Sequence, residues 1–267
     1  MISFVATPIG NLKDITLRAL ETLKEADVIF CEDTRHTLKL LSAYEIKKPL
    51  YACHKFNERE AAEKILSLSR EGKAVAVVSD AGMPVISDPG NCVCKFLHEA
   101  GEPYTVIPGA CAFLCALVLS PLPAQTFTFV GFLPNKAGEK RALLQRYRNA
   151  RETLIFHCAP QDVDKDIAAM YESFGNRSAC AVREITKIHE ESIPFSLQSG
   201  LSGEKRGEYV LLVAGAEERE NPLNVLSERE HIAHYLALGC DKKEALKRAA
   251  KDRGVTKSEL YPFAIDL

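Results

Sequence analysis

Ser79–Gly90 reads SDAGMPVISDPG, and this stretch decides the fold. An apolar β-type run, Ala74–Val78, leads into it. Its far end reads as a helix start, with Asp88 as the N-cap and Pro89 at the first helical position. Strand, small-residue loop and helix N-terminus in succession form the arrangement that binds ligands at the carboxyl edge of a parallel sheet. Gly82 and Gly90 allow backbone to approach a ligand closely, and Asp80 places a carboxylate just past the strand end. A cluster of Gly, Pro and Asp also fits an ordinary surface turn. The neighbouring stretches separate the two readings.

Outward from this loop, short apolar runs alternate with helical patterns through the first half of the chain. Strands are expected at Ile2–Ala6, Val28–Cys31, Pro49–Cys53, Ala74–Val78 and Tyr104–Ile107. Leu17, Leu20 and Leu23 share one face of the first helix, and Leu38 and Leu41 mark the second. Asn57 precedes a third helix that Gly72 ends, Gly101 stops the fourth, and an apolar helix starts at about Ala110. Repeated βα units imply a parallel sheet covered on both faces, with functional residues in the loops that follow the strands. Those loops read Thr7-Pro8-Ile9-Gly10-Asn11-Leu12, Glu32-Asp33-Thr34-Arg35, His54 with Asn57-Glu58, the opening stretch, and Pro108-Gly109-Ala110. TPIGN has one glycine where a dinucleotide fingerprint needs three, and no phosphate-binding P-loop is present. The glycine-rich first loop of ordinary Rossmann-type methyltransferases is missing too. Each polar loop residue also has a plain structural role open to it. Glu32 and Asp33 suit helix capping, Arg35 suits an ion pair with them, and His54 suits an ordinary loop.

The remaining sequence bounds the answer. With 267 residues, 46% of them hydrophobic, the chain can build one or two sizeable cores. It has no run of eighteen apolar residues, so no membrane span is expected, and Met1 leads straight into a strand-like segment with no signal-peptide pattern. Nine cysteines lie scattered with no CxxC pair, which fits small buried hydrophobes in a reduced cytosolic setting rather than a metal or disulfide framework. The net charge of −2 gives no general attraction to polyanions, so any such site must be a local patch.

Ser120-Pro121-Leu122-Pro123 reads as a linker. A second α/β unit follows, with strands at Thr126–Val130, Thr153–His157, Ser178–Val182, Glu191–Phe195 and Tyr209–Val213. Its helices are expected near Glu139–Asn149 and Asp162–Ser173. From Asn221 the pattern is all-helical, near Leu226–Leu238, Lys242–Asp252 and Ser258–Tyr261, with Gly239 and Gly254 between. The expected domains are thus 1–119, 124–217 and 221–267. Two basic clusters stand out. One runs from Lys136 through Lys140, Arg141, Arg146 and Arg148 to Arg151. The other runs from Lys242 through Lys243, Lys247, Arg248, Lys251 and Arg253 to Lys257. Such runs serve either as solvated helix faces or as phosphate contacts.

In order along the chain, TPIGNLKDIT, EDTRHT, His54 with Asn57-Glu58, SDAGMPVISDPG, GFLP, REITK and KRGEYVLLV resemble the bacterial 16S ribosomal RNA cytidine 2′-O-methyltransferases, a branch of the tetrapyrrole-methylase superfamily. The resemblance spans nearly the whole chain. It implies a two-domain α/β fold with a largely parallel N-terminal sheet, a mixed C-terminal sheet and a small helical tail. It also implies S-adenosylmethionine in the cleft between the domains, a homodimer, and 16S rRNA of the small ribosomal subunit as acceptor; the residues themselves show no clustered metal-ligand set, so no metal is expected, and a cytoplasmic setting is expected from the cysteine usage. The cofactor is then expected on Pro8, Gly10, Asp80, Ala81, Gly82, Pro84, Gly109, Ala110 and Cys111. Asp33, His54 and Glu184 are the candidates for accepting the hydroxyl proton. Asn11, Arg35, Lys140, Arg141 and Lys187 are expected to contact the RNA. Three places depart from the family pattern. Met83 replaces a usual Thr, Ala110-Cys111 lacks a further proline, and Phe156–Asp162 reads FHCAPQD. The Glu, His and Arg of the family's motif fall on Cys158, Gln161 and Asp162. This departure leaves open a methylase acting on a tetrapyrrole or other small acceptor, and a catalytically weak ribosome-binding homologue.

Overall fold

Val75–Val78 is the strand ahead of the SDAG loop and is buried along its whole length. It is the central strand of a five-stranded parallel sheet in a computed structural model that describes residues 1–217, 222–265 and 267. The strands are β1 (Ile2–Val5), β2 (Val28–Cys31), β3 (Leu50–Ala52), β4 (Val75–Val78) and β5 (Tyr104–Ile107), in the order β3-β2-β4-β1-β5. Helices α1 (Leu17–Glu25), α2 (Thr34–Ala43), α3 (Glu58–Arg70) and α4 (Asn91–Glu99) connect them, and α5 (Ala112–Leu119) follows the last strand.

Strand side chains alternate between two cores, as pleating requires. Ile2, Phe4, Phe30, Val75 and Val77 pack with Ala62 and Ile65 of α3 and Val93 and Leu97 of α4. Val5, Ile29, Cys31, Ala76 and Val78 pack on the other face with Ala19 and Leu23 of α1 and Leu41 of α2. Burial on both faces explains why these strands read as unbroken apolar runs.

The second sheet contains β6 (Phe127–Phe129), β7 (Thr153–Cys158), β8 (Ser178–Arg183), β9 (Glu191–Ser196) and β10 (Tyr209–Val213), in the order β6-β7-β10-β8-β9. Only β6 and β7 pair in parallel; the other neighbours are antiparallel. Helices α6 (Ala137–Arg146) and α7 (Val163–Phe174) cover one face through Leu144, Ile167 and Met170. The opposite face packs on Ala116 and Leu117 of α5. A helix that follows the first sheet in sequence therefore supplies the floor of the second. Its apolar residues surround the whole helix, so periodicity cannot show which sheet it serves. Both sheets belong to one compact unit, Met1–Ala216.

Residues from Glu217 form a separate unit. It contains α8 (Glu228–Ala237), α9 (Lys242–Arg253) and α10 (Lys257–Leu260) around Ile232, Leu246, Ala249, Ala250 and Leu260. Ser227 and Glu230 form a capping box on α8, Asp241 caps α9, and Gly254 ends α9 in the left-handed region. The expected tail boundary at Asn221 lies outside the described residues.

Candidate active site

The loops after the parallel strands are tied to one another before they meet any ligand. Thr7 and Gly82 exchange backbone hydrogen bonds of 2.9 and 3.0 Å. The Thr7 hydroxyl also donates to the Ser79 carbonyl. The Asp33 amide donates to Asp80 Oδ1 at 3.0 Å, which joins the EDTR loop to the SDAG loop. Gly10 is required by close approach. A Cβ there would lie 2.7 Å from both Lys187 Cγ and Thr186 Oγ1, so TPIGN sits directly on the REITK loop of the second sheet. The Asn11 amide donates to that same Thr186 hydroxyl at 3.0 Å. Gly109 likewise meets Ala6, with 2.8 Å left for a Cβ.

Between the two sheets these loops enclose a cavity of ≈ 550 Å³. Asp80, Ala81, Gly82, Met83, Ile86, Ser87 and Asp88 wall one side, with Glu32 beside them. Cys111 and Phe113 border it next to these, and Phe132, His157–Gln161, Ile185 and Glu208–Val210 come from the second sheet. Of the expected cofactor residues, Asp80, Ala81, Gly82 and Cys111 reach the cavity. Pro8, Gly10, Pro84, Gly109 and Ala110 stand in the same loops without lining it and shape the loops instead.

The cavity's electrostatics are set by clustered carboxylates, of which Glu32 and Asp88 have no hydrogen-bond or ion-pair partner among the described residues. Burial raises the Glu32 carboxyl above its usual range, and the charge of Asp80 adds to that. Asp88 is pushed up to about 7, first by burial and then by repulsion from Glu32 and Asp80. His157 is lowered by burial, with the charge of Glu208 opposing. Its Nε2 is buried with no hydrogen-bond partner among the described residues, and its ring meets those of Phe129 and Phe132 edge to face, with centroids 5.0 and 5.2 Å away.

The residues expected to handle the proton sit differently. Asp33 caps α2 by accepting from the Arg35 amide at 2.8 Å and pairs with the Arg35 guanidinium at 2.7 Å. These bonds hold its carboxyl well below the usual range. Glu184 accepts from Lys187 Nζ at 3.0 Å and from the Glu208 amide at 3.1 Å, and the lysine bond lowers its carboxyl too. Burial opposes the Lys187 charge, but Glu184 and Glu208 outweigh it and hold the amine above its ordinary value. Asp33, Glu184 and Lys187 thus form capped or clamped pairs that do not line the cavity, and Lys187 fastens a loop. His54 stands in the loop after β3, its amide bonded to Asn57 Oδ1 and its buried Nδ1 without a hydrogen-bond partner among the described residues.

The expected RNA contacts divide. Arg35 and Arg141 are exposed. Lys140 is not: it is buried against Asp166 in an ion pair, and Asp166 also takes a hydrogen bond from Cys158 Sγ at 3.3 Å. The reading of Lys140 as a phosphate contact is corrected on that ground, because its amine faces inward and is already neutralised. Burial followed by Asp166 pushes the Cys158 thiol far above its ordinary value.

A second correction concerns Asp88. Helix α4 begins at Asn91, with Gly90 at φ 125° as its N-cap residue. The capping oxygen comes from α3, where Glu58 Oε2 accepts from the Gly90 and Cys92 amides at 3.1 and 3.0 Å. Asp88 is thereby free to face the cavity. Nothing local in SDPG distinguishes a cap from a cavity acid; the competing cap is 30 residues upstream. Glu32 was legible as one of the loop acids, whereas His157 and Glu208 lay within the quoted FHCAPQD and KRGEYVLLV stretches without being singled out as site residues. Among the described residues no group of three His, Cys, Asp or Glu is placed to hold a metal ion.

Comparison with known proteins agrees with this architecture. The family described as Tetrapyrrole (Corrin/Porphyrin) Methylases matches residues 1–199. A protein of Bacillus subtilis named Ribosomal RNA small subunit methyltransferase I is 41% identical, covering 98% of this chain and 92% of its own. Its namesake from Thermotoga maritima is 40% identical over 80% of this chain and 97% of its own. The methyltransferase CobJ superposes with a TM-score of 0.61 at 17% identity, covering 82% of this chain and 95% of its own. Uroporphyrin-III C-methyl transferase from Thermus thermophilus, complexed with S-adenosyl homocysteine, gives 0.55 at 20% identity, over 80% and 96%. At such identities the solved structures speak for the fold alone.

Proposed function

The chain belongs to the tetrapyrrole (corrin/porphyrin) methylase family and, within it, to the small-subunit ribosomal RNA methyltransferases I, and from that premise we propose that it transfers a methyl group from S-adenosylmethionine to the 2′-hydroxyl of a cytidine ribose in 16S rRNA of the small ribosomal subunit. What supports this reading is near full-length identity of 34–41% to several proteins named Ribosomal RNA small subunit methyltransferase I, joined to a cavity of small-molecule size at the carboxyl edge of the parallel sheet.

S-adenosylmethionine, when bound, supplies a methyl group already activated on a sulfonium. The residues present suit such a ligand. The Asp80 carboxylate can accept hydrogen bonds from hydroxyl or ammonium groups, and Met83, Ile86 and Phe132 offer apolar surface. The protein's task is then mainly positioning and exclusion of water, and an effective molarity of order 10⁵ M is worth ~7 kcal/mol. For the acceptor, exposed Arg35 and Arg141 are the phosphate contacts we favour. In the tail, Lys243, Lys247 and Lys251 recur every fourth residue on the exposed side of α9 and extend that role. The same reading includes a homodimer. Its support is the exposed apolar surface of α5, where Val118 is 85% exposed beside Leu114 and Leu119, and of edge strand β5 at Tyr104 and Val106.

A second reading, a small-molecule acceptor, has one specific observation behind it. Cys158 and Gln161, which replace charged residues of the family motif, line the cavity. Incubating the protein with methyl-labelled S-adenosylmethionine and either small ribosomal subunits or free tetrapyrroles tests both. Label in the RNA, located on a cytidine ribose by nuclease and mass analysis, supports the first reading. Label only in the small acceptor overturns it.

A further inference from the structure

Methyl transfer to a hydroxyl leaves a proton to dispose of. The best acceptor is a carboxylate at the reaction site that is not already committed to another partner. Asp33 and Glu184 are excluded on geometry, because Arg35 holds one and Lys187 with the Glu208 amide holds the other, both outside the cavity wall. Asp88 differs on each count. It lines the cavity, and its carboxylate has no hydrogen-bond or ion-pair partner among the described residues. The backbone that presents it is locally costly. Val85 and Ser87 both take positive φ, 78° and 66°, where L-residues lose stability. Glu58 meanwhile takes over the capping of α4, the task that would otherwise turn Asp88 away. The facing wall holds a second unsatisfied group, the buried Nε2 of His157.

We propose that Asp88 is the catalytic residue that accepts the proton of the acceptor hydroxyl, and that Glu32 tunes it. The proposal rests on the methyl transfer proposed above. In the step, the hydroxyl oxygen forms a bond to the methyl carbon while the carbon–sulfur bond of the sulfonium breaks. The breaking bond's electron pair stays on sulfur, which becomes a neutral thioether, and the hydroxyl proton passes to an Asp88 oxygen. The titratable groups around Asp88 are Glu32 and Asp80 from the loops after β2 and β4, Cys111 before α5, His157 and Cys158 of β7, and Glu208 and Tyr209 at the start of β10. Glu32 and Asp80 act on it most directly, and both favour its protonated form. A base that half-ionises near neutral pH is matched to proton transfer in that range.

The test compares wild type with Asp88→Asn, Asp88→Glu and Glu32→Gln. Methyl transfer to small ribosomal subunits is followed from about pH 5.5 to 9, and S-adenosylmethionine affinity is measured by calorimetry at the same pH values. Wild-type kcat should rise with pH through a midpoint near 7, since the base works only when ionised. Asp88→Asn should lose ~10²–10⁴-fold in kcat and lose the midpoint, with S-adenosylmethionine affinity within about threefold of wild type. Asp88→Glu should retain part of the rate and the midpoint. Glu32→Gln should move the midpoint to lower pH, a shift that a merely structural residue does not produce. A near-normal kcat in Asp88→Asn overturns the proposal, as does a flat wild-type profile between pH 6 and 8. Loss of S-adenosylmethionine binding in Asp88→Asn makes it a donor-binding residue and also overturns it. Abolished transfer in Glu32→Gln moves the base to Glu32. Wild type that labels no small subunits removes the functional reading itself, a failure visible before any variant is made, and the assignment of Asp88 falls with it.

Discussion

Asp88→Asn should make the protein more stable at alkaline pH, by an amount that the position of Asp88 sets. The side chain is half-buried in the cavity wall and its carboxyl is pushed from 3.8 up to about 7, chiefly by burial and then by Glu32 and Asp80. The folded protein therefore keeps a proton that the unfolded chain releases near pH 4. Stability is fully present below that value, falls as pH rises towards 7, and falls no further above it. A rise of roughly three pH units is worth ~4 kcal/mol if nothing screens it. Water reaches the open side of the cavity and screens about half, which leaves ~2 kcal/mol. Asn keeps the shape and abolishes the charge. Urea unfolding of both proteins at about pH 4.5 and pH 8 gives the comparison, with slopes checked for equality. The variant's advantage should grow by ~2 kcal/mol between the two conditions, most of it gained below pH 7. Asp33 and Glu184 have lowered carboxyls, so they lose stability in acid instead, but they are common to both proteins and cancel in the difference. An advantage that stays constant with pH, or a variant less stable at pH 8, would refute the reasoning, because it would mean that the Asp88 charge is bonded in the folded state.

Three further outcomes follow from the same geometry. Lys140→Ala should cost ~3–5 kcal/mol in urea unfolding by leaving Asp166 buried and unpaired, and a loss under 1 kcal/mol would place Lys140 at the surface after all. Gly10→Ala forces a Cβ against Lys187, Thr186 and the Ile185 carbonyl and should destabilise by ~1–3 kcal/mol while weakening S-adenosylmethionine binding; unchanged calorimetric melting and affinity would show that the loops part freely. Arg141→Glu should lower affinity for 16S rRNA and reduce the salt dependence of binding by a log–log slope of about 0.7 per lost phosphate contact, and an unaltered slope would remove Arg141 from the interface.

Much of the architecture was fixed locally and so could be read from the residues. Central strands bury both faces and so appear as short apolar runs, and Val28–Cys31 and Val75–Val78 of the parallel sheet and Tyr209–Val213 of the mixed sheet lie where the run puts them. Gly239 and Gly254 punctuate the tail because only a residue without a side chain turns there cheaply. The loops that carry the site were legible for the same reason, since polar and small residues follow each strand at one sheet edge. What the sequence could not settle depends on partners distant in the chain. Helix α5 is apolar on every side, and only packing assigns it to the second sheet. Asp88 looks like a helix cap until Glu58 is found capping α4 from another helix. Lys140 looks like part of a basic surface until Asp166 turns it inward. A residue type states what a group can do; whether it is spent on a neighbour or left open to a ligand is decided by which groups the tertiary fold brings within bonding distance, and a buried charge is tolerated only where such a partner arrives.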